Sequence, residues 1–220
     1  MQQYAVIGVG NFGYYLAVQL YKKGHEVLAV DIDEGRIQAI KDKVSRAVIA
    51  DATDPEALEP LGLAAMDAVC VSLGDSLSDS ILVTLNLKDM GVTRVLVKCF
   101  SEPHGRVLQK IGANDVLHPE KEMARSLAER LHSPNVIEYL PFLEGYSIVE
   151  MTPPEGFIGK PLKDLDLINR FGVQVIAVKE MVPERTNMVP TGNYQMKDSD
   201  VLIVLGSDEG IRKLKDQSSG

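Results

Sequence analysis

Residues 4–31 read YAVIGVGNFGYYLAVQLYKKGHEVLAVD, and the fold is decided there. Tyr4–Val9 is a continuous apolar run of strand length. The glycine pattern Gly8-Val9-Gly10-Asn11-Phe12-Gly13 overlaps its end, and Tyr14–Lys23 then places Leu16, Leu20 and Tyr21 at helical spacing. Gly24 stops that helix, Glu26–Val30 is a second buried strand, and Asp31 closes it. A G-x-G-x-x-G pattern alone is a weak signal. Here it follows a strand, opens a helix and precedes an acid about 20 residues on, which is the full dinucleotide-binding fingerprint. Gly8 permits the tight turn, Gly10 lets backbone N–H groups approach a pyrophosphate, and Gly13 lets the helix pack close on the sheet. The unpaired N–H groups at the helix start favour an anion. Asp31 is placed to accept hydrogen bonds from ribose hydroxyls and to repel a 2′-phosphate, which disfavours NADP.

Outward from this segment, strands and helices keep alternating. Asp33–Lys41 reads as a helix, Arg46–Ala50 as a strand, and Thr53-Asp54-Pro55-Glu56 as a helix start with an acid cap and a proline in the first turn. Ala68–Ser72, Arg94–Lys98 and Asp115–His118 complete six strands. Helices over Ser76–Met90, Glu102–Ile111 and Pro119–Leu131 separate and follow them. Such alternation with short turns demands right-handed crossovers and a parallel sheet covered on both faces, so the expected fold is a doubly wound α/β domain of the Rossmann type. The pattern changes around Ser133-Pro134-Asn135, where helices become scarce and prolines frequent. The division expected is residues 1–133 for the nucleotide-binding domain with its crossover helix, and 134–220 for a small α+β domain. The latter has strands at Tyr146–Met151, Val173–Lys179 and Val201–Leu205, a short helix after Pro161, a terminal helix from Ser207, and a frayed end at Ser218-Ser219-Gly220.

Composition narrows the function. The chain of 220 residues carries a formal net charge of −8 with no basic run, which argues against a nucleic-acid or anionic-membrane surface. Apolar runs stop well short of the roughly 20 residues of a membrane span, so direct membrane insertion is not expected. Cys70 and Cys99 lie in or beside strand-like runs and read as small core residues. The histidines at 25, 104, 118 and 132 lack ligand spacing for zinc. A nicotinamide-dependent oxidoreductase with a small C-terminal domain is the alternative reading. Against it, no His, Tyr or Lys stands in a recognisable general-acid setting. His118 and Lys98, near strand ends, are the best catalytic candidates, with no orienting partner evident for either.

Several stretches resemble the KtrA/TrkA family of RCK (regulator of conductance of potassium) subunits of potassium uptake systems. They are Gly8–Gly13, Val30-Asp31-Ile32-Asp33, Ala50-Asp51-Ala52-Thr53, Val97-Lys98, and above all Lys110–Asp115 with His118-Pro119-Glu120-Lys121. The likeness covers nearly the whole chain, and a single pair of domains matches the KtrA arrangement. It implies a non-catalytic, cytoplasmic gating subunit at the inner face of the plasma membrane. Such subunits form homodimers that assemble into a ring, bind ATP, ADP or NAD(H), and act on a membrane-embedded potassium channel or transporter. By position, it implies that Gly8, Gly10, Asn11, Phe12 and Gly13 cradle phosphate, Asp31 and Asp33 bind ribose, Asp51 and Ala52 line the adenine end, Lys98 lies on the phosphate side, and Glu120 helps hold a divalent cation with bound nucleotide. An acid in a helix's first turn also favours the helix dipole without any metal, and Glu120 fits that reading equally. The chain departs from the family pattern twice. Asn11 stands where many relatives carry arginine, and Lys163 where relatives that bind cyclic di-AMP often carry an aliphatic residue.

Overall fold

The computed structural model describes residues 1–73, 76–132 and 135–217, which fall into two compact units, Met1–Glu120 and Lys121–Gly220. The first unit alternates strand and helix throughout: β1 (Gln3–Ile7), α1 (Asn11–Lys22), β2 (Glu26–Asp31), α2 (Glu34–Ile40), β3 (Arg46–Ile49), α3 (Pro55–Leu58), β4 (Ala68–Val71), α4 (Leu77–Asp89), β5 (Val95–Lys98), α5 (Glu102–Lys110) and β6 (Asp115–Leu117). All six strands pair in parallel in the order β3-β2-β1-β4-β5-β6. The chain starts in the middle of the sheet, winds to one edge through β2 and β3, and returns to β4 beside β1. The doubly wound architecture expected from the sequence is the one found.

Strand alternation divides the core into two layers. Ala5, Ile7, Leu28, Val30, Val69 and Val71 pack in one layer with Leu58 of α3, Val83 and Leu87 of α4, and Leu108 of α5. Val6, Val27, Ala29 and Cys70 point the other way, onto Ala17 of α1 and Ile37 and Ile40 of α2. Both faces of each inner strand are covered, which is why these segments read as unbroken apolar runs. Burial pushes the Cys70 thiol up to about 12, so it behaves as a small apolar side chain. Helix starts follow their caps. Asp54 accepts from the Glu56 N–H ahead of Pro55, Ser76 from the Asp79 N–H and Ser101 from the His104 N–H. Helix α1 begins at Asn11, three residues before the expected Tyr14, because Gly10 adopts the extended cap conformation and its carbonyl accepts from the Tyr14 N–H.

The helix α6 (Pro119–His132) begins at the end of the first unit and continues into the second. The division at 120/121 lies earlier than the 133/134 read from composition, where residues 133 and 134 are outside the described set. Two ion pairs, Arg125 with Asp208 and Glu129 with Lys215, tie the later turns of α6 to the second unit. That unit contains β7 (Val136–Leu143), β8 (Tyr146–Met151), α7 (Leu162–Leu165), α8 (Leu167–Phe171), β9 (Val173–Met181), β10 (Glu184–Met188), β11 (Asp200–Ser207) and α9 (Asp208–Asp216). The strands form an antiparallel sheet ordered β10-β9-β11-β8-β7. Val149, Met151, Val178, Leu202 and Val204 of the sheet bury against Leu165, Leu167, Ile211 and Leu214 of the helices. Strands β7 and β10 were not foreseen. Both are edge strands, β10 (ERTNM) without apolar alternation and β7 with Pro141 inside it, a residue that only an edge tolerates. The expected frayed end, Ser218–Gly220, lies outside the described residues. No helix of the described residues is long and apolar enough to cross a membrane.

Candidate functional site

The carboxyl ends of the parallel strands open into a cleft of about 850 Å³ in the first unit. It lies over β1 and β4, where the strand order reverses and doubly wound sheets hold their ligands. The loop from β1 to α1 forms its floor. Gly8 has a φ of +92°, and a Cβ there would stand 2.2 Å from the Ser72 carbonyl oxygen. A Cβ on Gly13 would stand 1.9 Å from the Gly8 carbonyl oxygen, so this glycine allows α1 to close on the loop. Around Gly10 a Cβ would meet nothing within 4 Å, so its backbone faces open space. Two of the three glycines are therefore demanded by packing, and the third leaves room for a ligand.

Asp31 is almost fully buried, at 6% exposure, and organises this floor. Its Oδ2 accepts from the Val9 N–H at 2.6 Å, its Oδ1 from the Asp33 N–H at 2.9 Å, and Arg36 reaches Oδ2 at 3.5 Å. The acid at the end of β2 thus holds the glycine loop as well as facing the cleft. Opposite, Asp51 receives the Thr53 N–H at 2.9 Å and hydroxyl at 2.7 Å, and these hydrogen bonds hold its carboxyl below the usual carboxylate range. On the β5 and β6 side, Lys98 Nζ pairs with Glu120 Oε1 at 2.5 Å. The hydrogen bond from Lys98 keeps the Glu120 carboxyl well ionised.

Of the residues singled out from the sequence, Gly8, Gly10, Asn11, Phe12, Asp31, Asp51, Ala52, Lys98 and Glu120 line this one cleft. Gly13 lies beneath it in α1. Asp33 is outside the lining, as the cap of α2 whose Oδ1 accepts from the Arg36 N–H. The sequence reading missed Arg36, Thr53, Ser72, Leu73 and Asp79, all in the lining. Ser72 and Leu73 follow β4 directly and Asp79 is in the first turn of α4, so position after a strand end was the signal available for them.

The absence of orienting partners for Lys98 and His118 is corrected by the structure. Lys98 has Glu120, and the His118 ring nitrogens lie 3.2 and 3.3 Å from Cys99 Sγ. Nearby, the buried His104 shares a 2.8 Å hydrogen bond with the Ser80 hydroxyl. Burial, and secondly His118, hold its imidazole below the ordinary histidine range. Among the described residues, no group of three or more His, Cys, Asp or Glu side chains is arranged to hold a metal.

Comparison with known proteins agrees with this division. Residues 4–119 match the TrkA-N domain and residues 146–218 the TrkA-C domain. The chain is 37% identical over 214 residues to the Ktr system potassium uptake protein C of Bacillus subtilis (strain 168), covering 97% of this chain and 96% of the relative. It is also 37% identical over 215 residues to the Ktr system potassium uptake protein A of Vibrio alginolyticus, covering 97% of each. In fold it resembles the GsuK channel, with a TM-score of 0.69 at 19% identity, over 97% of this chain and 39% of that one. Near-complete coverage at this identity, with both domain types in the same order, means that the chain belongs to the Ktr/Trk family of potassium uptake proteins.

Proposed function

We propose that this protein is a nucleotide-binding regulatory subunit of a potassium uptake system, acting from the cytoplasmic face on a membrane-embedded channel or transporter. The observation that carries the reading is the cleft. A glycine loop with an open Gly10, a helix N-terminus and a buried acid at the end of β2 converge where the strand order reverses. Similarity to Ktr proteins over nearly the full length supplies the biological context.

In this reading the first unit binds ATP, ADP or NAD(H), and the second, read as the RCK C-terminal domain, serves regulation and assembly. The pyrophosphate lies against the N–H groups of Gly10 to Phe12, with Gly8 and Gly13 shaping the loop. The adenosine ribose meets Asp31, with Asp33 at its margin, and the base lies toward Asp51 and Ala52. Lys98 and Glu120 face the phosphates, and Glu120 takes part in holding a divalent cation when nucleotide is bound. The subunit is a homodimer that assembles into a ring. It is not an enzyme, and binding energy is spent on shifting a conformational equilibrium through differential affinity.

Native mass spectrometry of the purified protein tests this directly. A co-purified adenine nucleotide and a mass that is an even multiple of the protomer are expected. Co-expression with a Ktr-type membrane subunit in a potassium-uptake-deficient bacterium is expected to restore growth at low potassium, and Asp31→Ala is expected to abolish the restoration. A protein that binds no adenine nucleotide would overturn the proposal. So would turnover of NAD with small alcohols or hydroxy acids at about 1 s⁻¹ or more, an ordinary enzymatic rate.

A further inference from the structure

The later turns of α6 present a polar face to their own unit. Met123, Leu127 and Leu131 are exposed, and no side chain of α6 is buried or belongs to the apolar core that joins the antiparallel sheet to α7, α8 and α9. The helix is held instead by polar groups. Arg125 stands 3.5 Å from Asp208 and donates to the Tyr139 hydroxyl at 3.1 Å, Ser126 donates to the Tyr139 carbonyl at 3.2 Å, and Glu129 pairs with Lys215 at 3.1 Å. The receiving groups are themselves fixed. Asp208 accepts from the Ser147 hydroxyl at 2.5 Å, and Tyr139 is buried beneath Arg125 and Lys215, which both lie over its ring.

Between α6 and α9 lies a cavity of about 490 Å³, with Arg125 and Glu129 on one wall and Asp208, Arg212 and Lys215 on the other. Both ion pairs that cross it are partly exposed, Arg125 at 56% with Asp208 at 39%, and Glu129 at 38% against a nearly buried Lys215. Water and small ions therefore reach them. Salt screens ion pairs of this kind, whereas burial of apolar area is not a charge interaction and does not follow the Debye length. The docking of α6 is built from the interactions that salt weakens.

We infer that the seam between α6 and α9 is a salt-sensitive latch, closed at low ionic strength and loosened as ionic strength rises. Glu120, in the first turn of the same helix, lines the cleft, so the nucleotide proposed above and the salt act on two ends of one helix. The latch itself does not depend on what the cleft holds.

Hydrogen exchange of the full chain, read by mass spectrometry at about 0.01 M and about 1 M KCl, tests the latch, because the Debye length falls from roughly 30 Å to about 3 Å over that range. Amides of residues 121–132 are expected to exchange about fivefold faster at high salt, the factor that two partly exposed ion pairs together account for. Those of β9 and β11 are expected to stay unchanged, which reports an intact core. With Arg125→Gln and Glu129→Gln combined, α6 is expected to exchange at the fast rate at both concentrations. Sodium and tetramethylammonium chloride are expected to act as potassium chloride does. Equal protection of α6 at both concentrations would overturn the inference, and is the result expected if burial of its apolar stripe on a second copy held the helix. So would a salt response undiminished in the double variant, a parallel change in β9 and β11, or a response to potassium alone, which would point to a specific cation site.

Discussion

The three glycines of the first loop carry different burdens, and substitution separates them. At Gly8 an alanine would combine a positive φ with a Cβ pressed against the Ser72 carbonyl, and a loss of ~2 kcal/mol or more in denaturant unfolding is expected. Gly10 has φ of −71° and open space around it. Gly10→Ala is therefore expected to leave stability within ~0.5 kcal/mol while weakening nucleotide binding, because the methyl group occupies the space a phosphate needs. A variant that lost stability instead would place Gly10 among the packing residues. Asn11 makes a second prediction. Its neutral amide gives a γ-phosphate no charged donor, so the wild type without divalent cation is expected to discriminate weakly between ATP and ADP. Asn11→Arg is expected to raise ATP affinity selectively by about tenfold. Calorimetric titration of both forms in EDTA decides it, and strong ATP selectivity in the wild type would show that another group already meets the third phosphate.

At the level of elements, the second unit depends on a buried acid. Glu180 on β9 is fully enclosed, with Arg185 Nε and Lys197 Nζ each at 2.5 Å, and lies across from Asp200 of β11. Hydrogen bonds from Arg185 and then Lys197 hold its carboxyl below the usual range. A carboxylate depressed in this way contributes stability above the ordinary value of 4.5, and that contribution is lost as pH falls through the depressed folded value. Glu180→Gln is expected to lower the melting temperature at pH 7, and the gap to the wild type is expected to close as pH drops below 4.5. A gap independent of pH would mean that packing rather than charge accounts for the loss. In the first unit the comparable test is apolar. Leu87 of α4 has no exposed surface, and Leu87→Ala is expected to cost about 2–5 kcal/mol in equilibrium unfolding.

For the whole molecule, the informative feature is apolar surface left uncovered in one chain. Met123, Leu127 and Leu131 form a stripe along α6 and are 68%, 46% and 76% exposed. Such a stripe at helical spacing is suited to burial between copies. Light scattering at micromolar concentration is expected to report a dimer or a multiple of it, and Leu127→Glu to shift the population toward monomer. A wild type that is strictly monomeric would contradict the assembly proposed for it.

The sequence by itself determined the first unit almost entirely. Residues 4–31 carry a local fingerprint, the inner strands β1, β2 and β4 are buried on both faces and so appear as apolar runs, and the caps at Asp54 and Ser76 mark helix starts with no help from distant contacts. Nine of the eleven site residues named from the sequence line one cleft, because the strand ends that carry them are fixed by the fold. What needed tertiary structure was whatever depends on neighbours far along the chain. The glycine pattern gives no hint that Asp31 spends its carboxylate partly on the Val9 N–H, because that bond forms only when β1 and β2 pair. Asp79 looks like an ordinary first-turn acid until the pairing of β4 with β1 brings the start of α4 to the cleft. Strands β7 and β10 escaped detection for a related reason: an edge strand is held by the backbone hydrogen bonds of its neighbour, and its own side chains carry little of the apolar alternation that marks an inner strand.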